Sequence, residues 1–243
     1  MSGQSNTVEQ CLELAIRHVN AGLPGRAMVL CEHAIASHPP HAAVQQLLAV
    51  LALNQGQLER AAQSAAASLE LRPDHPPTLI VAGDIARAQS AFEIALKFHL
   101  RAEALLPDRA DAVLALGLTL QASGDSVAAV PRLLRAATLA PTHADAWFAL
   151  ALARQDSGDL AGAATALREV LKLAPSRAEA EVNLAIVLLE AGNLDEALAA
   201  FGRAYRLNNA TFGRIALALT SAPTGRLWLD LDVLRGTLQE VSN

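Results

Sequence analysis

The chain has 243 residues, with 24 acidic and 19 basic side chains, a formal net charge of -5 and only 3% aromatic residues. That length admits one or two ordinary domains. The acidic balance, without any lysine or arginine cluster, excludes the basic face that nucleic-acid binding needs to displace counterions, and the scarcity of rings excludes an interior of stacked aromatics.

The first seven residues, MSGQSNT, carry neither a basic side chain nor an apolar stretch, so no secretory leader is expected and 1–7 reads as a flexible N-terminus. No apolar run approaches bilayer-spanning length. Two cysteines, Cys11 and Cys31, suit a reducing compartment better than a disulfide framework. The expectation is a soluble, cytoplasmic protein that binds no membrane.

From Val8 to Thr211 a 34-residue period recurs six times, starting at Val8, Ala42, Pro76, Ala110, Ala144 and Ala178. Position 20 is always alanine: Ala27, Ala61, Ala95, Ala129, Ala163, Ala197. Position 32 is proline in five units: Pro39, Pro73, Pro107, Pro141, Pro175. Position 15 is Gly22, Gly56, Gly124, Gly158 or Gly192, with Ser90 in the third unit. Apolar residues spaced by three and four between these anchors predict two amphipathic helices per unit. Small residues at positions 8 and 20 let the two antiparallel helices approach closely. The glycine ends the first helix, and Asp125, Asp159 and Asn193 are expected to cap the second. Pro24 sits in a first turn, where a missing N–H costs little, and the proline at position 32 stops the second helix. Pro131 falls inside the second helix of the fourth unit, as a bend or as a tolerated early-turn proline.

Residues 212–243 start a seventh first-helix, FGRIALALTSA, that breaks at Pro223. Leu227 to Leu231 alternates as a short extended segment. A helix from Asp230 or Asp232 would then carry Leu231, Leu234, Leu238 and Val241 on one stripe. Capping the last apolar face is the favoured role. The sharper alternative is a docking segment that offers Leu227, Trp228, Leu229, Leu231 and Leu234 to another subunit or to the protein's own groove.

The small–small–small–proline pattern at positions 8, 20, 27 and 32 resembles the tetratricopeptide repeat. The fifth unit matches best, with Trp147, Leu150, Ala151, Gly158, Ala163 and Pro175 in place. Position 11, aromatic in the family, is His18, Ala52, Ala86, Leu120, Arg154 and Leu188 here; position 24 is aromatic only at Phe201, and Asn209 stands where the sixth proline belongs. The resemblance implies an all-α, right-handed α-solenoid of six helix-turn-helix repeats over 8–211, followed by the C-terminal cap. It also implies that the first helices line a concave groove through positions 2, 5, 9, 12 and 13.

Carried over by position, that groove holds Leu12, Gln46, Ile80, Leu114, Phe148 and Val182 at position 5. Position 9 contributes Ile16, Val50, Asp84, Leu118, Leu152 and Ile186. Position 12 contributes Val19, Leu53, Arg87, Gln121, Gln155 and Leu189. Asn183, at position 6, is suited to hold a peptide backbone. So apolar a stripe is seldom left wet, which predicts an amphipathic helix or extended segment from a partner; the alternative is that curvature or the tail covers it. Asp111, Asp145 and Glu179 at position 2, with Asp156 and Glu190 at position 13, point to a partner that is basic as well as apolar. Those at position 2 also simply complement a helix dipole. Asp84 and Arg87, three apart, either pair with each other or set a peptide's register. Apart from Arg87 the groove lacks the cations of a chaperone-tail receptor.

No catalytic chemistry is expected. His41, His75 and His143 all occupy position 34, in successive connections too far apart to share one ion at metal–nitrogen distances of about 2 Å, and read as solvated. His33 and His38 flank a helix end. Cys11 and Cys31 read as two buried thiols in contact, with a redox switch as the bolder alternative. No phosphate loop, nucleophile elbow or zinc motif is present, so no metal or cofactor is expected. The reading is a noncatalytic scaffold or adaptor that binds a protein segment. The alternative is a substrate-recruiting subunit of a separate glycosyl-, sulfo- or methyltransferase. A helical-repeat RNA binder is disfavoured for want of cations and rings. Homo-oligomers through groove or tail are compatible with all of this.

Overall fold

A computed structural model describes residues 7–221 and 231–240, and all regular structure among them is helical. The helices fall where the period places them. The first unit forms α1 (Val8–Asn20) and α2 (Pro24–Ser37), the second α3 (Ala42–Asn54) and α4 (Leu58–Leu71), the third α5 (Pro76–Ala88) and α6 (Phe92–Leu105). The fourth forms α7 (Ala110–Ala122) and α8 (Ser126–Leu139), the fifth α9 (Ala144–Asp156) and α10 (Leu160–Leu173), the sixth α11 (Ala178–Glu190) and α12 (Leu194–Leu207). A 3-10 turn at Asn209–Thr211 leads into α13 (Phe212–Ser221), and α14 spans Leu231–Glu240. The extended segment expected at 227–230, and Val241, lie outside the described residues.

The turn inside each hairpin needs a left-handed residue. Glycine supplies it five times, with φ between 71° and 89°, and Ser90 does the same at φ 59° against its Cβ. Of the three expected caps, Asp125 and Asp159 accept from the backbone N–H of Ala128 and Gly162. Asn193 stands at the cap of α12 but its side chain makes no such bond. Thr7 and Gln10 form a reciprocal capping box at α1. Pro131 lies inside α8, beyond its first turn, so one carbonyl there lacks its helical donor.

The chain divides into two compact units, Met1–Ser123 and Gly124–Asn243, so the fourth repeat contributes α7 to the first and α8 to the second. In the first unit α1 packs on α2, α3 on α4 and α5 on α6; α2, α4 and α6 each pack on the helix that follows, and α5 lies against both α3 and α7. In the second unit α8 to α12 pack in sequence, α13 lies on α11 and α14 on α12. All six position-20 alanines are fully buried. With no exposed surface to grow into, a branched side chain there would cost about 1–3 kcal/mol in strain.

Candidate functional site

The stripe of positions 5, 9 and 12 behaves differently in the two units. In the first unit none of its twelve residues is buried. Ile16 and Val19 are exposed, while Leu12, Gln46, Val50, Leu53, Ile80, Leu114, Leu118 and Gln121 are half-buried. Asp84 and Arg87 are also half-buried and pair with each other, Arg87 Nη2 donating to Asp84 Oδ1 at 2.8 Å. This is an accessible, mostly apolar surface interrupted by one ion pair.

In the second unit half of the stripe is closed. Leu152, Gln155 and Ile186 stay half-buried, but Phe148, Val182 and Leu189 are buried, Val182 completely. The guanidinium of Arg177 stacks over the Phe148 ring, 4.1 Å from its centroid. Asn183 is buried too, and its side-chain oxygen accepts from Arg214 Nη2 of α13 at 3.2 Å. The residue suited to holding a peptide backbone is therefore held by the chain's own partial seventh repeat.

The framing carboxylates are engaged within the chain. Arg177 Nη1 reaches Asp145 at 2.6 Å and its Nη2 lies 3.6 Å from Glu179. Arg109 pairs with Asp111 at 2.9 Å. Gln155 donates to both oxygens of Glu190, and Ser126 donates to Asp156 at 3.4 Å.

The C-terminal helix divides the tail residues. Leu234 and Leu238 are fully buried, with α14 packed on α12. Arg206 Nη1 donates to the Leu238 carbonyl at 3.3 Å, and Arg235 sits over the Phe212 ring. Leu231 is exposed, and Leu227, Trp228 and Leu229 lie outside the described residues. Leu234 is thus committed to the chain's own interior.

The position-34 histidines are not simply solvated. They stand at the N-caps of α3, α5 and α9. His143 Nδ1 accepts from the Ala146 N–H at 3.1 Å, and His75 Nδ1 is 2.9 Å from Thr78 Oγ1. Cys11 and Cys31 are buried free thiols, and burial first, then the neighbouring Cys11, pushes Cys31 up to about 11. Among the described residues no group of three His, Cys, Asp or Glu side chains is placed to hold a metal ion.

His99 is the feature that sequence reasoning missed. It sits at position 24 of the third repeat on α6, where the other repeats bury Cys31, Ala65, Leu133, Leu167 and Phe201. Its ring is fully buried, with Nδ1 2.8 Å from Thr119 Oγ1 of α7 and Nε2 3.1 Å from the Ile80 carbonyl of α5. Gly83 makes room for it, since a Cβ there would lie 2.2 Å from Nε2. Asp84 Oδ1 is 3.8 Å from Nε2. Burial holds this imidazole below its ordinary range; Asp84 and the Ile80 carbonyl push the other way, and Arg87 adds to the lowering.

A sequence model of the tetratricopeptide repeat matches residues 78–144 and 148–210, and a second model of the same repeat matches 19–78. Among curated proteins no sequence matches. Among solved structures, YrrB, described as a TPR protein with an unusual peptide-binding site, is 22% identical and aligns over 79% of this chain and 96% of its own, with a TM-score of 0.62. TTC0263, a thermophilic TPR protein in Thermus thermophilus, is 23% identical over 75% of this chain and 100% of that one, with a TM-score of 0.62. The Cut9–Hcn1 hetero-tetramer of the APC/C aligns at 15% identity over 89% of this chain and 43% of that one, with a TM-score of 0.78. At these identities the likeness is one of fold.

Proposed function

The chain belongs to the tetratricopeptide-repeat family, and from that premise we propose that it is a noncatalytic scaffold or adaptor holding an apolar, partly basic segment of a partner protein. The observation that carries this reading is the stripe of the first unit, where twelve positions on four first-helices leave no residue buried and eight of them are apolar side chains. Desolvating such a stripe gains about 25 cal/mol per Å² of apolar area, and an amphipathic helix or extended segment matches its spacing. The partner's basic character is supported in the first unit by the exposed carboxylate of Asp111, and the second unit offers Asp145, Asp156, Glu179 and Glu190 on its own first helices. Asp111, Asp145 and Glu179 already meet an arginine of this chain, so within each unit a partner's cation would add to an existing pair. YrrB is described as having a peptide-binding site, and a peptide is the ligand we propose here.

No helix among the described residues is long and apolar enough to cross a membrane. Two buried, unbridged cysteines suit the reducing cytoplasm we propose as the location. The test is affinity capture with the wild type, with Leu118→Arg and with Leu118→Arg/Leu152→Arg. Partners lost on Leu118→Arg support the groove of the first unit, and capture that survives the double change removes it as the site. A captured set dominated by a glycosyl-, sulfo- or methyltransferase would favour a substrate-recruiting subunit instead.

A further inference from the structure

Three polar residues break the repeat pattern at one place. Asp84 occupies a position held elsewhere by Ile16, Val50, Leu118, Leu152 and Ile186, Thr119 is fully buried, and His99 replaces an apolar core residue. All three belong to the first unit, whose stripe is accessible.

The hydrogen-bond partners restrict the protonation states of His99. The Ile80 carbonyl can only accept, so Nε2 carries a hydrogen. Thr119 has one hydroxyl hydrogen and two claimants for it, the Ala115 carbonyl at 3.0 Å and His99 Nδ1 at 2.8 Å. If Thr119 donates to Nδ1, the ring is neutral. If Thr119 donates to Ala115, Nδ1 must donate to Thr119 and the ring is a cation. Rotating one hydroxyl converts one arrangement into the other with every heavy atom in place. The site satisfies both states, and Asp84 lies 3.8 Å away as counter-ion to the second.

Asp84 Oδ1 is also the oxygen that Arg87 grips at 2.8 Å. A charged ring and Arg87 would therefore flank one oxygen of the half-buried Asp84. The groups facing His99 can be named from each helix packed on α6. From α5 they are Asp84 and Arg87; from α7 it is Thr119, since Asp111, the only charged residue of α7, is exposed at its first turn and paired with Arg109. Burial favours the neutral ring and Asp84 opposes it, so the two states are set against each other by named groups.

We infer that His99 acts through the Asp84–Arg87 pair, and that its protonation in mild acid adds one positive charge beside that pair, beneath the first unit's groove, so that a basic partner segment is released. This regulation rests on the groove reading above. Gly83 is part of the device, because only a residue without a Cβ lets the ring reach α5.

The experiment follows the ring and the groove separately, in the full-length chain. The probe is a fluorescein-labelled amphipathic peptide with leucine on one face and lysine on the other, with a glutamate-for-lysine counterpart as control. As the pH falls from about 7.5 to below the ordinary histidine value of about 6.5, because burial holds this ring lower, the lysine peptide should lose about fivefold or more in affinity, the lower end of ordinary coupling between sites, and the glutamate peptide should not. His99→Phe, which places at position 24 the residue found at Phe201, should lose the pH dependence whatever its affinity at the higher pH. Histidine side-chain NMR should show the His99 ring titrating together with the Arg87 Nε resonance, and Asp84→Asn should move that titration to lower pH. A pH dependence that persists in His99→Phe overturns the inference, as does a His99 titration that leaves Arg87 unmoved. If neither peptide binds at any pH the groove reading fails and release of a partner fails with it, while the coupled titration of His99 and Arg87 still decides whether the switch exists.

Discussion

The same repeat positions give an accessible surface in Met1–Ser123 and a half-closed one in Gly124–Asn243. Leu114 and Val182 both stand at position 5, yet Leu114 is half-buried and Val182 has no exposure at all. Residue type does not make the difference, since both are aliphatic. The neighbours do: α13 lies on α11, Arg214 takes Asn183, and Arg177 roofs Phe148. A repeat position is thus a place on a helix, and whether that place meets water depends on what stacks next to it. A terminal element that satisfies the last repeat does so by using up the surface that repeat would otherwise offer.

Paired substitutions at one repeat position test this most strongly. Val182→Arg buries an unpaired charge and should cost more than about 4 kcal/mol or abolish folding, whereas Leu114→Arg can extend its head into water and should cost about 1 kcal/mol. Denaturant melts of the two variants read the contrast, and equal losses would break it. Next in size is Leu234→Ala, which removes a fully buried side chain of α14 and should cost about 2–5 kcal/mol. Hydrogen exchange should show that loss in α12, which α14 covers, and leave α3 and α4 protected as before. Gly83→Ala drives a methyl into the His99 ring and should cost about 1–3 kcal/mol in the first unit; an unchanged melting temperature would mean the ring has room to leave.

The smallest expected effect is a pH slope. The folded His99 binds its proton less readily than an unfolded histidine, whose ordinary value is about 6.5. The unfolded chain therefore takes up more protons as the pH drops, and the contribution to stability is full above that value and lost as the pH falls through the lower folded one. His75, also lowered, chiefly by burial, acts in the same sense. Asp84→Asn removes the charge that opposes the lowering and should deepen the acid loss, and His99→Phe should flatten it. Urea melts across mild acid separate the two.

The helices were legible because the period states them twelve times over. Glycine or serine at position 15, proline at position 32 and alanine at position 20 each have one local reason to be there, and local reasons can be read from one chain. The Asp84–Arg87 pair was legible for the same reason, being three residues apart on one helix. The closure of the second unit was not, because Arg177 reaching back from the connection before α11 to Phe148 of α9, and Arg214 reaching Asn183 in the preceding repeat, are contacts between residues about thirty apart in the chain. His99 escapes for another reason. A histidine in a sequence reads as a ligand or a loop residue, and position 24 draws notice only for rings that pack. Its signal lies in three departures taken together, Asp84, His99 and Thr119, each polar where the repeat is elsewhere largely apolar. The tail was legible in part, since the Leu234 and Leu238 spacing predicts the buried face of α14.

The two thiols of the first hairpin have a consequence for experiment. Cys11 and Cys31 are 2% and 1% exposed, and Cys31 is pushed up to about 11. At neutral pH only about one molecule in ten thousand would carry that sulfur as the nucleophilic thiolate, and a maleimide cannot reach it while α1 lies on α2. Alkylation must then wait for the hairpin to part, and its rate becomes a clock for fraying at the chain's N-terminal end. Nature has installed the reporter already: watching adduct formation by mass spectrometry measures how often this end of the molecule breathes, without adding a label anywhere.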